Sequence, residues 1–230
     1  MKIGETLMEH ASVSVPAAGV VLQGDLSMPL KPKGLVLFAH GSGSSRHSPR
    51  NRYVAEALNE HSLGTLLVDL LTAEEEQEDE VTAQLRFDIN LLTGRLVAIT
   101  DWLASAPQTR GNLIGLFGAS TGAAAALMTA AERPNVVKAV VSRGGRPDLA
   151  GSTASLVRAP TLLIVGGRDT AVIQMNRDAM ALMTCKVELK IVPGATHLFE
   201  ERGALAQVAS LAADWFTTHL ADESKTRSSK

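Results

Sequence analysis

The chain has 230 residues, a formal net charge of −2 and a hydrophobic share of 45%. This length predicts one domain over residues 1–221 with a single core, and the near-neutral charge excludes the basic surface of proteins that bind nucleic acid or anionic membranes. The single cysteine, Cys185, excludes an internal disulfide, and no run is apolar for long enough to span a membrane. We therefore expect a cytoplasmic protein without a signal peptide, and a disordered polar tail at residues 222–230.

The first half of the chain predicts a hairpin followed by buried strands. Residues 8–15 and 20–28 carry β-branched side chains on either side of a short segment with proline and glycine, which indicates an antiparallel hairpin. The apolar runs 34–39 and 64–71 are too short for typical helices and indicate strands covered on both faces. Helices are predicted at residues 49–59 and 85–103.

The acidic run from Glu74 to Glu80 lies between the second of these strands and the helix that follows it. Its carboxylates suit a solvated loop or the first turn of a helix, where they meet the positive end of the helix dipole. The run lacks the ligand spacing and the glycine of an EF-hand calcium loop. We therefore expect no metal site in this run.

Strands and helices also alternate in the second half of the chain. Strands are predicted at residues 136–141, 161–165 and 187–192, and helices at 123–131, 171–183 and 204–219. This alternation predicts an α/β fold, with a mainly parallel central sheet and helices on both faces. Residues 142–146 are expected to form an exit loop, and the connection up to Pro160 is too short for a large cap domain.

A G-x-S-x-G pattern at residues 118–122 joins a strand-like run to an alanine-rich helical stretch. In such a junction the flanking glycines remove side chains that would clash, and the central serine stands exposed at the end of the strand. We therefore predict that Ser120 is a nucleophile. The alternative is a glycine-rich turn that carries no chemistry.

Two further reactive side chains, Asp169 and His197, also follow predicted strands. Because the carboxyl ends of parallel strands share one edge of a sheet, we expect both side chains to lie close to Ser120. Histidine can take the serine proton, and an aspartate on the other ring nitrogen stabilises the charged imidazole. Alternatively, Asp169 caps the next helix and His197 bonds a carbonyl group, or Asp69, which also ends a strand, is the acid.

Four motifs together resemble the α/β-hydrolase fold and, within it, the small dienelactone hydrolase group, which has no lid. They are His-Gly-Ser-Gly at residues 40–43, the junction at 118–122, Gly-Gly-Arg-Asp at 166–169 and Gly-Ala-Thr-His-Leu-Phe at 194–199. The chain order Ser, Asp, His is that of the nucleophile-elbow enzymes of this fold. Dienelactone hydrolases proper have a cysteine at the elbow, whereas this chain has Ser120, which favours a serine esterase.

The resemblance implies a hydrolase without a cofactor, which cleaves a small ester or lactone through an acyl-enzyme intermediate. The tetrahedral oxyanion on that path requires backbone donors. We expect them to be the N–H of Thr121 and one N–H from the loop at residues 40–44, that of Ser42. His40 is expected to brace this loop.

Dienelactone hydrolases act on substrates that carry an acid group, so the resemblance also suggests a guanidinium near Ser120. Arg143 and Arg46 are the candidates, because a guanidinium holds a carboxylate through two parallel hydrogen bonds. Alternatively, Arg143 or Arg146 pairs with Asp148. Arg46 can equally be a solvated loop residue.

Two other functions are compatible with the same fold. One is acyl transfer by the same triad to an alcohol or a peroxide, as in a perhydrolase, and the other is a catalytically silent binding module. In each case we expect a small-molecule partner, bound by a monomer or a homodimer.

Overall fold

The computed structural model describes residues 7–221, which contain one eight-stranded sheet. The tail predicted at 222–230 lies outside the described residues. The strands are β1 Met8–Ala17, β2 Val20–Pro29, β3 Leu35–Ala39, β4 Gly64–Val68, β5 Ile114–Ala119, β6 Val137–Arg143, β7 Thr161–Gly166 and β8 Val187–Val192. Their order across the sheet is β1-β2-β4-β3-β5-β6-β7-β8. Strand β2 is antiparallel to β1 and β4, and the other neighbours are parallel, which confirms the predicted hairpin and α/β fold.

Helices cover both faces of this sheet. They are α1 Pro49–Glu60, α2 Ala73–Thr82, α3 Ile89–Ser105, α4 Thr121–Glu132, α5 Thr170–Leu182 and α6 Ala204–His219, with 3-10 turns at Leu85–Phe87 and Pro147–Leu156. The α1 and α6 helices pack on one face, and α3 and α4 pack on the other. Within residues 7–221, no helix combines the length and the apolar character that a membrane crossing requires.

Four strands, β3, β4, β5 and β7, are buried along their whole length. This burial explains why their sequences are continuous apolar runs instead of alternating patterns. Two apolar cores lie between the sheet and its helices, one on each face. Each strand contributes side chains to both of them, because successive side chains point to opposite faces of a sheet. The sheet is therefore a rigid platform whose strand ends hold the loops of the site.

The helix predicted at 85–103 begins later than its apolar periodicity suggested, at Ile89. The Asp88 carboxylate caps α3 by accepting a first-turn N–H at 2.9 Å. The Asp79 carboxylate accepts the N–H of Leu85 at 2.7 Å and holds the preceding residues in a separate 3-10 turn. Hydrogen bonds to the Asp79 and Asp88 carboxylates thus divide the apolar pattern of residues 85–103 into a 3-10 turn and the helix α3.

The acidic run forms the helix α2, the second of the two structures expected for it. Thr72 and Glu75 form a capping box: the Thr72 N–H donates to the Glu75 carboxylate at 2.8 Å, and the Glu75 N–H donates to Thr72 Oγ1 at 3.3 Å. The guanidinium of Arg95 binds the same carboxylate and lowers the pKa of Glu75. The Glu75 carboxylate therefore fastens α2 to α3.

Strand β6 is longer than predicted and ends at Arg143, which was expected in the exit loop. Its last residues pair on both sides, with Arg143 opposite Ala119 of β5 and Ile164 of β7. The sequence does not predict this extension, because Ser142 and Arg143 are polar and break the apolar run. Their strand conformation depends on pairing with β5 and β7 and not on a local sequence pattern. Arg143 is consequently buried at the strand end.

Candidate active site

Ser120 occupies the turn between β5 and α4 with φ 50° and ψ −122°. A positive φ is unfavourable for a residue with a Cβ and costs about 1–3 kcal/mol, so surrounding structure must hold it. A Cβ at Gly118 would overlap the Ala123 backbone, and one at Gly122 would overlap the Ala39 carbonyl. The two glycines therefore let strand, turn and helix meet closely. Ser120 is the N-cap of α4, yet its hydroxyl makes no capping hydrogen bond.

Asp169 and His197 lie side by side at the ends of β7 and β8. The Asp169 Oδ2 and His197 Nδ1 atoms are 2.6 Å apart. Asp169 stands at the N-cap of α5, but its carboxylate makes no capping bond. With the aspartate ionised, Nδ1 carries the proton of this bond, which leaves Nε2 free to accept another. The Arg168 N–H also donates to the Ala195 carbonyl at 2.9 Å, which ties the two loops together.

Ser120 and His197 both contact the end of β6. The Ser120 N–H donates to the Arg143 carbonyl at 3.3 Å. The next residue, Gly144, packs against His197: a Cβ there would lie 3.1 Å from the His197 carbonyl oxygen and 3.5 Å from its Cε1. The structure thus brings the three residues predicted as a triad to one edge of the sheet.

Asp69, the alternative acid, is engaged elsewhere. Its Oδ1 accepts the Arg46 N–H at 2.8 Å, and its Oδ2 forms an ion pair with the Arg46 guanidinium. The same guanidinium also lies 3.7 Å from the Asp25 carboxylate. Arg46, a candidate substrate ligand, is therefore occupied in holding the loop after β3.

Four other histidines lie away from Ser120 and make separate contacts. Their partners are Ser27 for His10, Arg52 for His47, the Ala57 carbonyl for His61 and the Trp215 ring for His219. Cys185 lies just before β8, at the end of that strand opposite to His197. Burial raises the pKa of the Cys185 thiol, which disfavours the thiolate that a nucleophile needs.

The loop after β3 is held by a buried neutral histidine. His40 Nε2 accepts the Leu70 N–H at 3.0 Å, so Nδ1 must carry the proton that it donates to the Gly41 carbonyl at 3.0 Å. Burial lowers the pKa of His40, in keeping with this neutral form. The Ser42 N–H, expected as an oxyanion donor, donates to Thr121 Oγ1 at 3.0 Å.

We expect acidification to destabilise the protein through His40. Because its folded pKa lies below the usual 6.5, the unfolded chain binds the proton first as the pH falls. The free energy of unfolding should therefore decrease from about pH 6.5 down to the folded pKa. Melting temperatures at about pH 7.5 and about pH 5 should differ less in His40→Gln than in the wild type. An equal difference in both proteins would contradict this assignment.

Two buried or bridging residues that the sequence analysis missed brace the site loops. Asn176 of α5 is fully buried, and its amide donates to the Gly145 carbonyl at 3.1 Å. The Glu201 carboxylate accepts the Thr196 N–H at 3.1 Å, and hydrogen bonds from Thr196, above all from its side chain, lower the pKa of Glu201. No motif marks either residue, since each acts on a loop that only the fold brings near.

The three arginines near the end of β6 and the loop after β3 differ in their partners. Arg146 pairs with Asp148 at 2.7 Å, which is the alternative weighed for it. Arg46 pairs with Asp69. Arg143 is only 8% exposed, and its Nη1 has no hydrogen-bond partner within residues 7–221.

A cavity of about 360 Å³ adjoins the loop after β3 on the side of α2. Its lining mixes polar and apolar surface, and the polar residues include Ser42, Ser44, Glu76, Glu80 and Arg86. Leu70 and Leu92 contribute apolar surface to it. The space next to the predicted oxyanion donors can therefore hold a small polar group.

The parallel sheet, the strained serine after β5 and the order of the three reactive residues define the α/β-hydrolase fold. Residues 52–220 match the model of the dienelactone hydrolase family. A crystallised dienelactone hydrolase from Anabaena variabilis is 58% identical, with a TM-score of 0.91 over 93% of this chain and 99% of that chain. The chain belongs to the dienelactone hydrolase family, and this membership supports hydrolase activity.

Two further comparisons extend this relationship. A Mycobacterium tuberculosis protein named “Putative phosphoribosyl transferase” is 58% identical over 213 residues, which are 93% of this chain and 47% of that protein. The chain thus spans about half the length of that relative, and the name applies to the whole of the longer protein. Est1E from Butyrivibrio proteoclasticus shares the fold at 17% identity, with a TM-score of 0.75 over 92% of this chain and 99% of that chain.

Proposed function

We propose that the chain is a serine hydrolase that cleaves small carboxylic esters or lactones through an acyl-enzyme intermediate. The observation that carries this proposal is the 2.6 Å bond between Asp169 and His197 beside the strained Ser120. An exposed catalytic hydroxyl needs a base, and a base needs an orienting acid. Each of the three residues follows a strand of the sheet, which sets its position. Neither Asp169 nor Ser120 uses its side chain to cap the helix that it begins, so both side chains are available for catalysis.

In the first half of the reaction, Ser120 Oγ attacks the carbonyl carbon of the ester. His197 Nε2 takes the hydroxyl proton and then gives it to the departing alkoxide, so the alcohol leaves and an acyl-serine forms. Asp169 keeps the imidazole in the tautomer with a proton on Nδ1 and stabilises its charged form. In the second half, His197 takes a proton from water as the water oxygen attacks the acyl carbon, and it then gives that proton to Ser120 Oγ as the carboxylic acid leaves.

The proposed oxyanion donors are two backbone groups, the N–H of Thr121 and the N–H of Ser42. The Thr121 N–H is in the first turn of α4, where no helical carbonyl can accept it, and the helix dipole adds positive potential there. The Ser42 N–H donates to Thr121 Oγ1 at 3.0 Å and would exchange this hydrogen bond for one to the oxyanion. Removing one such donor in a well-studied hydrolase costs about 10²–10³ in kcat.

The proposal is tested by partitioning between water and added methanol. Acetate esters of several different alcohols should give the same ratio of methyl acetate to acetate, because all of them pass through one acyl-enzyme. A ratio that changes with the departing alcohol would contradict a common intermediate. A folded protein that hydrolyses neither esters nor lactones would contradict the hydrolase itself and leave the binding-module alternative.

A further inference from the structure

Arg143 carries a buried positive charge without a carboxylate partner in residues 7–221, at the strand end next to Ser120. Its backbone carbonyl accepts the Ser120 N–H at 3.3 Å. Two residues earlier in β6, Val141 belongs to the core on the α1 and α6 face, so the Arg143 side chain points to that face. The Arg143 side chain therefore starts next to Ser120 and extends on the side of the sheet away from α4.

No anion of the described residues neutralises this guanidinium. Nη1 is buried without a hydrogen-bond partner within residues 7–221. Burial and the charge of Arg50 lower the pKa of Arg143 to about 10, and no carboxylate opposes these effects. Proteins normally pair a buried charge, because an unpaired one is strongly destabilising. The missing anion therefore points to a ligand.

Arg50, in the first turn of α1, supplies a second charge to the same region. Its Nη1 lies 3.2 Å from the Glu200 carboxylate, whose side chain is 64% exposed. Such exposed pairs contribute about 0–1 kcal/mol, so Arg50 can turn to a better acceptor at small cost. Its Nε, like Nη1 of Arg143, is buried without a partner in the described chain.

We propose that Arg143 and Arg50 form a subsite for a phosphate monoester group carried by the ester substrate. A phosphate monoester has two negative charges and three terminal oxygens, which can accept from both guanidiniums at once. Once Arg50 has turned away from Glu200, a carboxylate ligand with its single charge would neutralise only one of the two arginines. The N-terminal end of α1 adds positive potential on the same side. This inference rests on the proposed function, since the phosphate is placed relative to Ser120.

The sheet order separates this subsite from the cavity of about 360 Å³. The cavity lies beside the loops after β3 and β4, whereas Arg143 ends β6, and β5 with Ser120 stands between them. A bound substrate would therefore place its reacting carbonyl at Ser120, its phosphate on the β6 side and any uncharged polar group in the cavity.

The test compares three acetate esters of similar length at about pH 8, where a phosphate monoester is a dianion. The alcohols are butanol, 4-hydroxybutanoate and 3-hydroxypropyl phosphate. The wild type should prefer the phosphate ester in kcat/KM. Arg143→Met should lose about ten- to a hundredfold more on the phosphate ester than on the butyl ester. Arg50→Met, at a half-exposed position, should lose in the same direction.

Arg146→Met is the matched control, because that residue lies three positions after Arg143 and its guanidinium is paired with Asp148. It should keep the wild-type ratio between the esters. Equal losses on all esters in Arg143→Met and Arg50→Met, or a wild-type preference for the carboxylate ester over the phosphate ester, would overturn the phosphate subsite.

Binding of inorganic phosphate, measured by calorimetry on the full chain, separates this inference from the hydrolase proposal. Binding that weakens about tenfold or more in Arg143→Met supports the subsite even if no ester is cleaved. Ester cleavage that depends on Ser120, without phosphate binding or preference, would overturn the subsite and leave the hydrolase proposal intact.

Discussion

Replacing Ser120 with alanine is expected to abolish ester turnover, with a loss in kcat of about 10⁶. In the proposed mechanism the hydroxyl forms the acyl intermediate, and its base acts as a unit with it. The substitution removes one oxygen that makes no capping bond and keeps the Cβ in its strained conformation, so the melting temperature should change little. The measurement is steady-state turnover of the best ester by purified, folded protein.

Ser105→Ala is a suitable control, because Ser105 ends α3 far from the edge that carries the site. It should retain wild-type turnover. Retention of more than about a tenth of wild-type turnover by Ser120→Ala would show that Ser120 is not the nucleophile.

The second large effect is expected for Asp169→Asn, which should lower kcat by about 10⁴. An asparagine amide can donate to Nδ1, and this favours the tautomer whose Nε2 carries a proton and cannot act as a base. The imidazole should stay in place, because the backbone bond between Arg168 and Ala195 holds the two loops together. The pH profile of kcat/KM for both proteins measures the effect.

Asp69→Asn provides the comparison, since Asp69 was the competing candidate for the acid. Its carboxylate holds Arg46, so the substitution should disturb the loop after β3 and lower the melting temperature. The loss in turnover should be much smaller than that of Asp169→Asn. If Asp69→Asn instead loses more activity than Asp169→Asn, the acid role belongs to Asp69.

The parts of the fold that could be predicted from sequence are those that local patterns determine. Fully buried strands need unbroken apolar runs, so β3 and β7 appeared close to their observed bounds. The turn at Ser120 packs so closely that Gly118 and Gly122 cannot carry a Cβ. This requirement produces the G-x-S-x-G pattern, which can be recognised in the sequence. The alternation of strands and helices then fixed which residues end at the same edge.

Contacts between distant parts of the chain account for what the sequence did not predict. The extension of β6 to Arg143 depends on pairing with β5 and β7. The partner of Arg46 and the support of the Gly145 carbonyl by Asn176 appear only once the sheet is assembled. An unpaired arginine likewise has no sequence signature, because its lack of a partner is a property of the folded neighbourhood.

The most direct test of the account is covalent labelling with a fluorophosphonate, followed by peptide mapping. We expect one adduct per chain, on the Ser120 hydroxyl, with the label absent from Ser120→Ala and formed much more slowly in Asp169→Asn. A folded wild-type protein that takes up no label, or that takes it up on another residue while Ser120 stays unmodified, would contradict the assignment of Ser120 as the nucleophile.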